Sequence, residues 1–229
     1  MQEGERMGKV IILSETTKSP ISLMGKMSGI CYGANVEDEL KNYNRGMDCL
    51  QSNHGRVLEY PQVYFKLEGY SARVIREFYT HIGGAPTRLQ ESTRYINYQS
   101  GFNFIVPDTI LENPRAIDLY NWEMDNILYT LRELEKLGIP KEDSANLLPL
   151  GMTSDIVVRT NARNLIDMSR QRECQRAYWE FRELFNDLKT SLSNYSEQWK
   201  YIADNHFMPK CKALGYCPEK KSCKKKLIY

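Results

Sequence analysis

The sequence predicts an α+β fold, an antiparallel or mixed sheet packed with long helices, on three observations. Short runs that alternate apolar and polar residues, such as Val63, Phe65 and Leu67, read as strands with one apolar face. The second half instead repeats apolar residues at three- and four-residue steps, as in Ile117, Tyr120, Met124, Ile127, Leu131 and Leu134. No internal repeat or low-complexity linker divides the chain, so a single domain over residues 8–208 is expected. A flexible leader over 1–7, with Met7 as a second possible start, and a Cys- and Lys-rich tail over 209–229 complete the layout.

Taken in order, Val10-Ile11-Ile12-Leu13 is a buried-strand pattern. Residues 33–47 are polar with two glycines and suit a loop or a frayed helix. A strand over Gln62–Leu67 follows. Ser71 is a good N-cap for a helix from Ala72 to His81, which Gly83-Gly84 ends. Residues 88–98 are rich in Thr, Tyr and Ile and read as a second strand. Ser100-Gly101 then turns the chain into 102–106 as its hairpin partner. A helix over Pro114–Leu137 is stopped by Gly138 and Pro140. A short helix near 141–148, a long one from Asn161 to Leu188 and a last one from Glu197 to Met208 finish the domain. Trp122, Trp179 and Trp199 are expected on apolar helix faces.

Composition limits the function classes. With 229 residues and 41% hydrophobic content, the chain can bury a substantial core. Its 31 basic and 29 acidic residues leave a net charge of +2, so no global field draws it to nucleic acid or membrane. No apolar run approaches the ~20 residues of a membrane helix, and Met1 to Val10 lacks a secretory signal pattern. Six cysteines in such a chain read as reduced thiols in a cytoplasmic protein. His206, Cys211, Cys217 and Cys223 lack the close CxxC pairs of zinc sites, so no metal is expected. Lys220, Lys221 and Lys224–Lys226 read as a disordered, solubilising end rather than a nucleic-acid patch.

Two segments carry the chemistry. In an extended strand, Arg88, Gln90, Ser92 and Arg94 would share one face, a row of guanidinium, amide and hydroxyl groups suited to a phosphate. The same alternation also describes the solvated outer face of a hairpin. The long helix offers Asn161, Arg163, Asp167 and Arg172 in its first turns. At ~100° per residue, Arg163 and Asp167 nearly share a face, while Arg172 lies about 180° round from Arg163. Intrahelical pairing of Arg163 with Asp167 is the competing reading.

In this order the motifs resemble the flavin-dependent thymidylate synthases across most of the chain. The residues that carry the likeness are Ser92-Thr93-Arg94-Tyr95, Leu148-Pro149, Asn161-Ala162-Arg163-Asn164-Leu165, Arg172 and Ala177-Tyr178-Trp179-Glu180, with His54 and Glu59 upstream. The resemblance implies reductive methylation of dUMP to dTMP, with methylenetetrahydrofolate giving the carbon and NADPH reducing a bound FAD. It implies dUMP contacts from Glu77, Gln90, Glu91, Ser92, Thr93, Arg94 and Arg172, with Arg172 as the catalytic cation. It implies FAD contacts from His54, Thr80, His81, Arg88, Asn161, Arg163 and Asp167, and a homotetramer whose sites are shared between subunits.

The departures are equally definite. The family's Arg-His-Arg opening is Thr80-His81-Ile82 here, Glu77 stands where a glutamine is usual, and Ala145 replaces an arginine. A carboxylate near a phosphate needs a compensating cation, with Arg73, Arg76, Arg88 and Arg159 as candidates and Arg88 foremost. These departures also suit a related enzyme acting on another uridylate, by methylation or hydroxymethylation, or a non-catalytic nucleotide-binding paralogue.

Overall fold

The computed structural model describes residues 8–223; the expected leader and Lys224–Lys226 lie outside the described residues. Four strands, β1 (Lys9–Ile12), β2 (Gln62–Ser71), β3 (Thr87–Gln90) and β4 (Thr153–Asn161), form one antiparallel sheet in the order β1-β2-β4-β3. Around it run α1 (Pro20–Ile30), α2 (Glu39–Gln51), α3 (Ala72–Phe78), α4 (Asp108–Leu111), α5 (Pro114–Lys136), α6 (Lys141–Ser144), α7 (Ala162–Arg172), α8 (Trp179–Tyr195), α9 (Glu197–His206) and α10 (Lys210–Leu214). The α+β class read from the sequence is the observed one.

The core forms where the apolar face of the sheet meets the helices that follow it. Val63, Phe65 and Leu67 of β2 and Ile156 and Val158 of β4 point to that side and are buried. Phe181, Leu184, Phe185, Leu188 and Leu192, at three- and four-residue steps along α8, cover them together with Trp199 and Ile202 of α9. At roughly 25 cal/mol per Å² of apolar area, each such side chain contributes about 2 kcal/mol.

Several expected elements are redrawn. The extended segment stops at Gln90, because Ser92 starts a turn whose carbonyl accepts the Tyr95 and Ile96 N–H groups. Its partner is β4 and not 102–106, with Arg88 opposite Val158 and Gln90 opposite Ile156. The 102–106 segment contributes only a bridge from Phe104 to Met152. The long helix over 161–188 breaks into α7 and α8. Between Met168 and Ala177 Cys174 is the one apolar residue, so there is no stripe to bury and the chain turns.

Residues 39–51 form a full helix, started by Asp38, whose carboxylate accepts the Lys41 N–H at 3.0 Å. Gly46, one of the two glycines in that stretch, is a contact point. A Cβ on Gly46 would lie 2.0 Å from the Ile21 carbonyl oxygen, so α2 and α1 touch backbone to backbone there. Trp122 is 62% exposed on α5 rather than in a core, whereas Trp199 is fully buried. The tail is not structureless through Cys223, since α10 forms and Arg176 pairs with Glu219 at 2.7 Å. Among the described residues no helix is long and apolar enough to cross a membrane.

Candidate active site

The most constrained polar cluster lies where the ends of α3 and α7 meet the start of α8. Ser71 fixes the first of these elements: its hydroxyl accepts the Val74 N–H at 3.2 Å and so caps α3. The same residue donates its N–H and its hydroxyl to the Glu180 carboxylate, at 2.7 and 2.5 Å. Glu180 is only 3% exposed, and burial pushes its carboxyl above the usual range while the Ser71 hydrogen bonds pull it back. One buried carboxylate thus ties α8 to the start of α3. Phe78 stacks on Phe181 at 5.9 Å and sets the far end of α3 against the same helix.

Arg172, the last residue of α7, reaches into this corner. Its Nη1 pairs with Glu77 Oε2 at 2.6 Å, its Nε–H donates to His81 Nε2 at 2.8 Å, and its Nη2 donates to Thr80 Oγ1 at 3.3 Å. The guanidinium carbon of Arg172 lies over the Phe181 ring, 4.3 Å from its centroid. A guanidinium carries five N–H groups, and among the described residues this network commits three of them. The cation is therefore oriented before anything binds.

His81 is buried, and its pKa falls to about 4 through desolvation, then the charges of Arg172 and Arg88. It is neutral at pH 7. Because Arg172 donates to Nε2, that nitrogen carries the lone pair and the proton sits on Nδ1. Arg88 donates to the His81 carbonyl oxygen and lies over the rings of Phe78 and Tyr79. Its Nε is buried without a hydrogen-bond partner among the described residues, an unspent donor beside the cluster.

The phosphate row of Arg88, Gln90, Ser92 and Arg94 does not form, because only the first two lie in β3. Arg88 turns inward to His81, and Gln90 donates to the Ser154 hydroxyl at 3.2 Å. Glu91 accepts the Asp155 N–H at 2.8 Å, which extends the β3–β4 edge by one residue. Ser92, Thr93 and Arg94 then occupy a turn in which the Ser92 hydroxyl accepts the Arg94 N–H at 3.4 Å. Arg94 is exposed beside the Tyr95 ring, and among the described residues no hydrogen bond or ion pair joins it to Arg172. The cation that compensates Glu77 is Arg172 and not Arg88.

The residues expected at FAD divide into two groups. Thr80, His81 and Arg88 belong to the Arg172 corner. Arg163 instead pairs with Glu59 at 2.6 Å, next to the turn that His54 opens, and Asp167 pairs with Arg170 at 3.3 Å. The competing Arg163–Asp167 pair does not occur among the described residues, since a close carboxylate from another element outcompetes a neighbour on the same helix. Asn161 is buried and caps α7 by accepting the Asn164 N–H at 2.9 Å. It also fixes the approach of the loop after His81, because a Cβ on Gly84, at φ +71°, would come 2.1 Å from Asn161 Nδ2. FAD suits the corner in donor chemistry: an orphaned, buried Arg88 N–H and a side-chain-free Gly84 border the same loop.

Phe181 was not singled out by sequence reasoning, although it opens the apolar stripe of α8 and directly follows Glu180. The partnership of Ser71 with Glu180 was equally hidden, being 109 positions apart. Among the described residues no group of three or more His, Cys, Asp or Glu is placed to hold a metal ion, and all six cysteines are free thiols.

Comparison with known proteins bears on the whole corner. Residues 12–195 match the family described as thymidylate synthase complementing protein. A flavin-dependent thymidylate synthase of Pyrococcus abyssi is 30% identical over 172 residues, covering 73% of this chain and 69% of that one. One from Clostridium tetani is 29% identical over 244 residues, covering 94% and 93% of the two chains. A crystal structure of a flavin-dependent thymidylate synthase from Helicobacter pylori, complexed with FAD and dUMP, superposes with a TM-score of 0.65. That likeness covers 84% of this chain and 98% of the other at 15% identity, and so concerns the fold.

Proposed function

Since the chain belongs to the flavin-dependent thymidylate synthase family, we propose that it methylates dUMP to dTMP, with FAD as cofactor and methylenetetrahydrofolate and NADPH as co-substrates. The observation that carries this reading is the preset Arg172. A fixed cation beside a uracil nitrogen stabilises the anion that develops as the ring proton leaves, which makes the neighbouring ring carbon nucleophilic. Arg172 is turned toward that task by neutral His81, Thr80 and Glu77, so no reorganisation is required at the moment of reaction.

The remaining roles follow from position. Ser92, Thr93 and Arg94 bind the nucleotide from their turn, with Arg94 at the phosphate, and Gln90 and Glu91 hold that turn on the sheet. Ser92 is a ligand and not a nucleophile, for no base lies against its hydroxyl among the described contacts. Thr80, His81 and Arg88 on one side, and His54, Arg163 and Asp167 on the other, would hold FAD, with Asn161 shaping the loop between. FAD, when bound, supplies the redox chemistry of the reaction.

A homotetramer with shared sites is part of the proposal. Two features support it: the residues assigned to FAD fall into two clusters within one chain, with Arg163 paired to Glu59 away from the Arg172 corner, and α5 leaves Leu119, Trp122 and Tyr129 exposed. Apolar groups of that size on one helix are the usual mark of an interface. Reduced cysteines and soluble substrates suit a cytoplasmic enzyme.

The test is direct. Purified protein should bind FAD and turn yellow, oxidise NADPH faster when dUMP is present, and release dTMP. A protein that ignores saturating FAD would overturn the reading. Glu77 in place of glutamine favours a second reading, modification of a different uridylate, and mass analysis of the products from dUMP and UMP separates the two.

A further inference from the structure

We propose that residues 209–223 form a strap closing an anion-binding subsite beside Arg172, which receives the phosphate- or carboxylate-bearing end of a co-substrate. This rests on the reading of the chain as a synthase that uses a reduced dinucleotide and a folate.

The strap bounds a cavity of about 1090 Å³ whose other walls are the end of α7 and the turn from Glu173 to Ala177. Arg172 is among its lining residues, so the cavity adjoins the corner that Arg172 shares with Glu77, Thr80 and His81. Sites for small molecules run from roughly 300 to 1,000 Å³, and this one has room for an extended, multiply charged ligand. The family match covers residues 12–195, so the strap lies outside the segment that match spans.

Charge defines the ligand class. Arg170, Arg172, Arg176, Lys210 and Lys212 line the cavity against Glu173 and Glu219. That is a local excess of three cations, five against two, in a chain whose whole net charge is +2. The arginines have carboxylate partners: Asp167 for Arg170, Glu77 for Arg172 and Glu219 for Arg176. Lys210 and Lys212 form no close ion pair among the described residues, although the charge of Lys212 acts on Glu173, and they are the cations most open to an incoming anion. The Arg176–Glu219 pair at 2.7 Å meanwhile fastens the strap to the turn opposite. Cations gathered in a concave wall raise the local concentration of anions and orient them by their charged end.

Two ligands bring that chemistry to such an enzyme: the 2′-phosphate end of NADPH and the γ-linked glutamates of a folate. The cavity supplies its own reporters, because Cys174, Cys211 and Cys217 line it while Cys31, exposed at the end of α1, does not. Alkylation of each cysteine by iodoacetamide, resolved by mass spectrometry on the full chain, reads occupancy without turnover. Adenosine 2′,5′-bisphosphate or tri-γ-glutamate should slow Cys174, Cys211 and Cys217 several-fold and leave Cys31 unchanged. Protection by the first identifies the dinucleotide, and protection by the second identifies the folate. No protection by either, or equal slowing at Cys31, overturns the proposal.

Reversing both charges, Lys210→Glu with Lys212→Glu, should remove the protection. It should also raise the KM of the same co-substrate about fivefold, the size of an exposed charge contact, while the KM for dUMP stays put. Protection that persists in this variant overturns the assignment of the two lysines. If the wild-type protein shows protection but makes no dTMP, the subsite stands and the synthase reading fails.

Discussion

Arg172 and Arg94 present the same guanidinium on opposite kinds of support. Arg172 ends a helix, is held by Glu77, Thr80 and His81, and lies on an aromatic face. Arg94 sits in an exposed turn whose hydrogen bonds are backbone and Ser92 hydroxyl contacts, and among the described residues its head group has the Tyr95 ring beside it. The ordering entropy of Arg172 is lost on folding, whereas that of Arg94 is lost when a ligand arrives. A preset cation stabilises charge that appears only in the transition state, so it acts on turnover. A cation ordered by the ligand contributes chiefly to affinity. Under the proposed function, this difference in packing assigns chemistry to Arg172 and capture to Arg94.

The sharpest way to break this comparison is Arg172→Ala. Loss of a preset donor to a developing charge typically removes about 10²- to 10³-fold in rate, or about 3–4 kcal/mol. We expect dTMP formation to fall by about that upper factor while the bound-flavin absorbance spectrum is retained. Chromatographic measurement of dTMP decides it, and wild-type rates in the variant would strip Arg172 of its role. Glu77, left with an unpaired carboxylate, would be partly responsible for any loss of stability, so Arg172→Ala combined with Glu77→Gln serves as the control.

Next in size is the pH response of the corner. The folded-state pKa of His81, about 4, lies below its ordinary value of 6.5. The unfolded chain therefore takes up this proton first as pH falls. The contribution is intact above about pH 6.5 and is lost as pH drops toward 4, with a ceiling of about 3 kcal/mol from a shift of that size. Protonation at Nε2 would also collide with the Arg172 N–H now donated to it. Urea unfolding at pH 7 and pH 4.5 should show a smaller stability loss in His81→Gln than in the wild type. Equal losses would mean that His81 keeps ordinary solvent access. Glu180, whose pKa is raised, acts with the opposite sign, so the difference between the proteins is the quantity to read.

How much of this was legible beforehand depends on the range of the interactions. Local rules found the Ser71 cap, the apolar face of β2 and the long amphipathic α5, because each is decided within a few residues. Sheet pairing is not local. The alternation of Ser154, Ile156, Val158 and Thr160 makes β4 the central partner of both β2 and β3, yet that pattern is as short as many loops. Ser92-Thr93-Arg94-Tyr95 has strand-like composition, but its backbone turns at Ser92 once the β4 edge ends. In the site, the ordered motifs located Arg172, Glu77 and His81 individually. Their mutual contacts span more than 90 positions, and no spacing rule reaches so far.

The exposed arm of the comparison is tested by Arg94→Ala. A charge-assisted contact to phosphate made in an accessible turn is worth about 1.5–2 kcal/mol, which corresponds to roughly a ten- to thirtyfold rise in the KM for dUMP. We expect kcat to fall by much less, because Arg94 takes no part in the proton loss assigned to Arg172. Steady-state kinetics at saturating NADPH and folate separate the two parameters. A variant that loses kcat and keeps KM would put Arg94 in the preset class despite its exposure.

The smallest effect belongs to Arg163→Ala, and it marks where the contrast between preset and ligand-ordered cations ends. Arg163 and Glu59 form a 2.6 Å pair, but their side chains are 47% and 33% exposed. Exposed pairs of this kind are worth about 0–1 kcal/mol, since water screens the attraction and two long side chains must be held still. Thermal unfolding without FAD should therefore shift by a few degrees at most. If Arg163 also meets the flavin cofactor, the same substitution weakens FAD binding several-fold in a fluorescence titration, far beyond its effect on unfolding. Glu59→Gln distinguishes the remaining possibility: it removes the partner and leaves the cation. FAD affinity kept in Glu59→Gln and lost in Arg163→Ala makes Arg163 a ligand in its own right. Equal losses make the pair a unit, preset like the Arg172 corner but on the surface.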